Sequence, residues 1–403
     1  MRWLLAGFGA AVVVLAGCQE KLTAPADCPA LCPGGQPVVY DEVFTPIPGA
    51  DSSFRGYVEP HQAPALLSSD GLLGYEERAL IRFGRRPDSV SVRDTLRAYT
   101  IDSVAFSFTV VARDTTLTGL QVLLYRLPQA IDSTTTFSSI APAFAPESLI
   151  ATIGVPDTLR SGSIRAVFQA AELSRVEIAP ADSGHLALGI RIASPTPTGV
   201  RLGALAGGTG ALFTTYVTAD IPDTGTAKLR TLALGPSFNT SVSEVPVVDD
   251  TTLLAVGGAP SARALLRFDL PERIRDSATI VRATLELTPV TPIAGLPTDP
   301  ARMLARALLT DVGAKSPINS SAGRVPADTL DVGATMVSFE AVRLVELWLG
   351  NTSRPSALML SLTPELEAAS FTRPVFYSSR AADPALRPRL HVSYLLSFPF
   401  ETP

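Results

Sequence analysis

Lysine, charged residues and aromatic residues are all scarce in this sequence. Three of the 33 basic residues are lysine, aromatic residues make up 7%, and charged residues make up 18% of 403 positions. A disordered chain combines many charges with few apolar residues, so a hydrophobic content of 46% excludes disorder. A net charge of −5 gives no electrostatic reason to bind DNA or RNA, and we expect no nucleic-acid partner.

Long uninterrupted helical segments are also lacking, because the chain contains 29 glycines and 34 prolines. Apolar and polar residues instead alternate, most clearly over 104–110, 186–192 and 281–287. Alternation with a period of two is typical of half-buried strands in antiparallel sheets. The pattern predicts an all-β protein, and the length suggests two or three domains.

The N-terminal residues are typical of an export signal. Arg2 precedes an apolar run that ends in Leu15-Ala16-Gly17-Cys18, and a run this short followed by small residues is a cleaved secretory signal. This ending resembles the lipobox of bacterial lipoproteins, which implies a signal peptide over 1–17 and lipidation of Cys18. Gln19 in place of aspartate implies anchoring in the outer membrane. The alternative is an ordinary signal peptide with a chance cysteine.

Residues 18–37 form a predicted proline-rich tether. Cys28 and Cys32 lie in this segment, and in an exported protein we expect them to form a disulfide. A redox-active pair is the alternative. Two cysteines without a nearby histidine do not complete a four-ligand zinc site, so no metal site is predicted.

The two halves of the remaining chain resemble each other. Three pairs of segments recur in the same order, and repeated order of this kind indicates a duplicated unit. The pairs are 78–83 with 263–268, 168–173 with 339–344, and 186–190 with 358–362. We predict one unit over 38–224 and a second over 225–397.

The second unit also resembles a known domain family. The segments 264–271, 278–287, 339–350, 376–380 and 387–394 are similar, in this order, to the landmarks of DNRLRE-type domains. The resemblance implies jelly-roll β-sandwiches of secreted and surface proteins, some of whose relatives bind carbohydrate. The expected architecture is therefore two tandem jelly-roll-type antiparallel β-sandwiches after the signal peptide and tether.

Three residues of the second unit are candidates for ligand binding: Trp348, Tyr377 and Arg380. Trp348 is the one tryptophan after the signal peptide, and exposed tryptophan is a common platform for sugars. The apolar spacing over 338–349 instead favours a short amphipathic helix that buries this ring. Tyr377 and Arg380 lie in the segment that matches the end of the family pattern.

Candidates for catalysis or metal binding are few. His61, His185 and His391 are scattered, and no nucleophile elbow or helical histidine pair occurs. We predict no catalytic residues and no cofactor. Asp249-Asp250 could contribute to a calcium site, although turn-forming aspartate is the favoured interpretation.

Arginines recur at matching positions in the two units: Arg78, Arg82, Arg263 and Arg267. They could recognise an acidic polysaccharide or pair with carboxylates on neighbouring strands.

Three functional hypotheses follow. The leading one is a non-catalytic, lipid-anchored surface protein with a binding or envelope-structural role and polysaccharide or envelope-protein partners. The second is a carbohydrate-binding lipoprotein that serves a polysaccharide-degrading system. The third is a hydrolase or lyase with an unrecognised site.

Overall fold

The computed structural model describes residues 38–396 except 75, 222–225, 245–249, 251, 260, 320–327 and 350–353. The signal peptide, Cys18, the Cys28–Cys32 pair and Asp249 therefore lie outside the described residues, as does the seam between the predicted units. Within the described part of the chain, no helix is long and apolar enough to cross a membrane.

Antiparallel strands dominate both halves. The strands up to residue 243 are β1 Val39–Phe44, β2 Ser52–Arg55, β3 Ala65–Asp70, β4 Glu77–Phe83, β5 Val90–Val92, β6 Thr95–Arg97, β7 Thr100–Arg113, β8 Gln121–Leu127, β9 Leu149–Gly154, β10 Gly162–Gln169, β11 Ala187–Ala193, β12 Thr198–Gly203, β13 Leu212–Ile221, β14 Thr226–Leu234 and β15 Pro236–Ser243. The later strands are β16 Leu253–Ala255, β17 Ala262–Arg267, β18 Ala278–Leu287, β19 Ala301–Ala307, β20 Asp328–Leu330, β21 Val337–Glu340, β22 Ala357–Leu362, β23 Val375–Tyr377 and β24 Arg389–Leu396. The all-β prediction is confirmed.

Helices in the described part of the chain are short. The α-helices there are α1 Phe137–Ile140, α2 Glu272–Ser277 and α3 Val342–Trp348. The 3-10 helices are Pro60–Gln62, Leu72–Gly74, Ala141–Phe144, Pro146–Ser148, Ala170–Val176, Pro180–Asp182, Gly313–Lys315 and Pro384–Leu386.

One large sheet organises the first half. Its strands follow the order β14-β13-β7-β12-β3-β4-β11-β8-β9, with β10 added to β7 and β15 added to β4. Alternate residues of these strands face a common core in which Phe83, Phe106 and Phe213 pack with ring centroids 5.1–5.8 Å apart. Such aromatic contacts stabilise the core beyond the burial of apolar area.

Two sheets enclose the core of the second half. The first has the order β1-β24-β18-β21 and the second has the order β2-β17-β22-β19-β20. Leu285 and Val392 from the first sheet share one buried cluster with Leu266 and Leu360 from the second. The period-two alternation arises because each strand turns one face to this cluster and the other to solvent.

The matched sequence segments occupy the same places in their halves. Strand β4 pairs with β11 as β17 pairs with β22. Strand β10 pairs with β7 as β21 pairs with β18. A helix follows directly after β10 and after β21. The repeated sequence therefore corresponds to a repeated arrangement of neighbouring strands.

The N-terminal strands join the second half rather than the first. β1 pairs with β24 along Val39–Phe44, and β2 pairs with β17. The sequence groups residues 39–55 with the first predicted unit. In the structure, β1 is instead an edge strand of the four-stranded sheet of the second half, and β2 is an edge strand of its five-stranded sheet.

The two halves also contact each other directly. Leu67 of the first half lies in one buried cluster with Leu296 and Phe371 of the second. Beside it, Nη1 of Arg201 donates to both carboxylate oxygens of Asp299 at 3.0 and 2.9 Å. Apolar packing and a charged pair thus hold the halves together.

A second ion pair across this interface is more deeply buried. Nη2 of Arg373 contacts Oε1 of Glu77, whose side chain is 1% exposed. Burial raises the pKa of the Glu77 carboxyl, while the Arg373 charge acts to lower it. The ionisation of Glu77 in the first half therefore depends on the charge of Arg373 in the second half.

Candidate functional site

A polar groove lies on the solvent-facing side of the four-stranded sheet. It encloses about 340 Å³ and is lined mainly by β1, β18 and β24. The pairing register sets its first row as Asp41, Ser393 and Arg282, and its second row includes His391 and Thr284. These side chains share one face because alternate residues of paired strands point the same way. We call this feature the sheet groove.

Hydrogen bonds fix most polar groups of the sheet groove. Nε2 of His391 lies 3.0 Å from Oε2 of Glu286, and the Arg389 guanidinium lies 3.6 Å from the same oxygen. The Ser393 hydroxyl donates to Asp41. Within the described residues, the exposed Arg282 guanidinium has no ion-pair or hydrogen-bond partner. Arg282 is therefore the group in the groove most available to a ligand.

The serine, histidine and acid in the sheet groove do not form a relay. In a hydrolytic triad the histidine accepts the serine proton, and the acid orients the other ring nitrogen. Here the Ser393 hydroxyl donates to Asp41, while His391 uses Nε2 on Glu286. This geometry suits recognition of a polar ligand better than activation of the serine.

A charged cluster lies on the other side of the same sheet edge. Arg273 donates to both oxygens of Glu42 at 2.8 and 2.7 Å, and the Tyr394 hydroxyl donates to Oε1 at 2.7 Å. These hydrogen bonds lower the pKa of Glu42. Burial and the Glu42 bond raise the pKa of Tyr394. The cluster ties β1 to β24 and to helix α2.

Trp348, the first candidate for ligand binding, lies inside the core. Its side chain is 0% exposed and packs beside Phe268 with ring centroids 6.1 Å apart. It ends α3, which covers one part of the second core. The indole therefore has no solvent-facing area on which a ligand could stack. Its environment matches the interpretation that this ring packs into the core.

Arg380 holds the N-terminal segment in place. Its Nη2 donates to the Gly49 carbonyl at 2.7 Å, and its Nη1 lies 3.5 Å from Oδ1 of Asp51. The neighbouring Ser379 binds the same buried carboxylate through its backbone N–H and hydroxyl. The Ser-Ser-Arg segment thus binds the chain just before β2. Tyr377, the remaining candidate, is half-buried in β23.

The three histidines lie in different environments. His61 stacks on Phe238 at 6.0 Å, His185 bonds to the Phe83 carbonyl at 2.9 Å, and His391 lies in the sheet groove. No group of three or more metal-ligating side chains is found in the described ranges.

Asp250, of the pair considered for calcium, is engaged in a turn. Its Oδ1 accepts the Thr252 backbone N–H at 2.8 Å and the Thr252 hydroxyl at 2.5 Å. These bonds lower the pKa of Asp250. Aspartate commonly stabilises turns in this way.

The repeated arginines are largely paired. Arg78 makes a bidentate contact with Glu76, and Arg263 makes one with Glu367. Arg267 does the same with Asp311, and Arg82 donates to main-chain carbonyls. These three arginines therefore pair with carboxylates, but the partners do not lie on neighbouring strands. Glu76 directly precedes β4, and Glu367 and Asp311 lie in loops.

The sequence pattern predicted the polar face of β18 but not the sheet groove. Alternation over 281–287 placed Arg282, Thr284 and Glu286 on a polar face. The approach of β1 and β24 to that face depends on pairing across hundreds of residues, for which no local signal exists. No protein-family model and no curated protein matches this chain.

Proposed function

We propose that this chain is a lipid-anchored protein of the bacterial outer membrane with a binding or envelope-structural role and no catalytic activity. The observation that carries the proposal is the run Leu15-Ala16-Gly17-Cys18 after a short apolar segment. Acylation of Cys18 with more than one chain would hold the protein stably, because a single chain gives marginal membrane binding.

The fold is compatible with a body displayed from a tether. Residues 18–37 precede the first strand and could extend to about 70 Å. Buried contacts between the halves, including Arg201 with Asp299, favour one body over two loosely linked ones. We interpret the halves as tandem jelly-roll sandwiches of the DNRLRE type, supported by the neighbour relations that they share.

The sheet groove supports binding over catalysis. Ser393 and His391 are hydrogen-bonded to different carboxylates, and Arg282 is free to contact a ligand. Polysaccharide and other envelope proteins are the proposed partners. Turnover of a polysaccharide by the purified protein would contradict the non-catalytic role.

The anchor is tested by metabolic labelling with a palmitate analogue in bacterial cells. The wild-type chain should incorporate the label and fractionate with outer membranes, whereas Cys18→Ser should do neither. Cys28→Ser is the matched control and should be labelled like the wild type. Equal labelling of Cys18→Ser would refute the anchor.

A further inference from the structure

A second concave site lies in the first half of the molecule, well separated in sequence from the sheet groove. This depression encloses about 630 Å³ between the end of β8, the start of β9 and the 3-10 helix Ala170–Val176. Its volume falls in the range of small-molecule sites. We call it the Arg175 depression.

The charges in the Arg175 depression balance. Arg126 and Arg175 supply two positive charges, and Glu147 and Asp182 supply two negative ones. Nη2 of Arg126 lies 2.9 Å from Oδ2 of Asp182, so these two charges already neutralise each other. A site with no net charge gives no electrostatic preference for an ionic ligand.

Several polar groups of the depression are free to contact a ligand. Arg175 donates to the Ile150 carbonyl at 3.5 Å, the outer limit of a hydrogen bond. Within the described residues, the Glu147 carboxylate and the hydroxyls of Ser148 and Ser174 have no hydrogen-bond partner. The depression therefore offers an unsaturated donor, an acceptor and two groups that can act as either.

Apolar surface lies beside these groups. Leu149 is 37% exposed and Pro128 is also exposed. A ligand that fits must combine several hydroxyl groups, no net charge and an apolar C–H face. A pyranose ring has this combination, since its hydroxyls both donate and accept while its ring face is apolar.

We propose that the Arg175 depression binds a neutral sugar residue. Arg175 donates to a sugar oxygen, Glu147 accepts from a hydroxyl, and Leu149 contacts the ring face. This proposal rests on the binding role proposed above and extends it to a named site and ligand class. No aromatic ring lines the depression, so we expect weak, millimolar affinity that becomes useful when a polymer engages several copies.

The test uses the full chain in a detergent without a sugar headgroup. Saturation-transfer NMR is recorded with methyl glycosides of glucose, galactose and N-acetylglucosamine, and with methyl glucuronide as the anionic probe. At least one neutral glycoside should receive saturation. Arg175→Gln and Glu147→Gln should each weaken its binding about tenfold or more, because each loses a charge-assisted hydrogen bond.

Arg160→Gln is the matched control, because Arg160 is an exposed arginine of the same half and does not line the depression. It should bind like the wild type, and all three variants should keep the wild-type circular dichroism spectrum. Absence of transfer to every neutral glycoside, unchanged binding by both depression variants, or preference for the glucuronide would each overturn the proposal. Palmitate labelling is independent of these results, so failure of the anchor and failure of this site are distinguishable.

Discussion

The buried ion pair between the halves provides the sharpest test of how they are joined. Arg373→Met removes the cation that faces Glu77, whose side chain is 1% exposed. Glu77 must then keep an uncompensated buried charge or take up a proton. Breaking a buried pair in this way costs about 3–5 kcal/mol, and we expect the lower end because Arg373 is itself 17% exposed.

The loss of unfolding free energy caused by Arg373→Met should depend on pH. Burial already raises the pKa of Glu77 in the folded state above its unfolded value, and loss of Arg373 raises it further. A raised carboxyl pKa means that the folded state binds the proton more tightly. The unfolding free energy of Arg373→Met should therefore fall as the pH rises above the unfolded pKa, and should recover as the pH is lowered back to the unfolded pKa.

The assay is guanidinium unfolding of a chain that begins at residue 19. Circular dichroism reports both halves, whereas Trp348 fluorescence reports the second half, because Trp348 is the one tryptophan after residue 3. Glu77→Gln combined with Arg373→Met leaves no buried charge and should lie within about 1 kcal/mol of the wild type. A double variant as unstable as Arg373→Met, or a single variant as stable as the wild type, would refute the reasoning.

Three further expectations concern packing and the N-terminal strand. Trp348→Ala should cost about 3–5 kcal/mol in thermal unfolding followed by circular dichroism, because it empties a fully buried site; a loss below 1 kcal/mol would contradict the burial. Gly199→Ala places a Cβ 2.6 Å from the Phe371 ring and should destabilise the protein by about 1–3 kcal/mol, with partial rescue by Phe371→Leu; no rescue would point to another cause. Glu42→Gln should flatten the acid limb of the stability curve, since the lowered pKa of Glu42 gives stability that is lost as the pH falls through its folded value. An unchanged acid limb would show that the ion pair between Arg273 and Glu42 does not contribute to stability at acid pH.

Local alternation was sufficient to predict strands but not their neighbours. The residues over 281–287 alternate in sequence, and β18 is a strand with the expected polar face. The partner β1 could not be predicted from sequence. Its pairing with β24 is a contact between residues about 350 positions apart, and no short sequence pattern specifies such a contact. Sequence proximity placed 39–55 with the first unit for that reason.

The segment before Trp348 fits the periodicity of a helix in sequence but begins as a strand in the structure. Phe339 fits a helical spacing with Val342 and Val345, which predicted one helix over 338–349. In the structure Phe339 lies in β21 opposite Leu285, and the helix begins at Val342. Pairing with β18 overrides the helical period for the first residues, because the strand satisfies its backbone groups and buries Phe339 at once.

The pairing of β1 with β24 has a consequence for the order of folding. The Ser393 hydroxyl and Asp41 are 352 positions apart in the chain. At a synthesis rate of about 5–20 residues per second, β1 exists for roughly 20–70 seconds before β24 is made. Through that time the edge of β1 that pairs with β24 has no partner, and any chain that stops before β24 leaves this sheet of the second half without the strand between β1 and β18. Closure of this edge of the four-stranded sheet must therefore wait until β24 has been made.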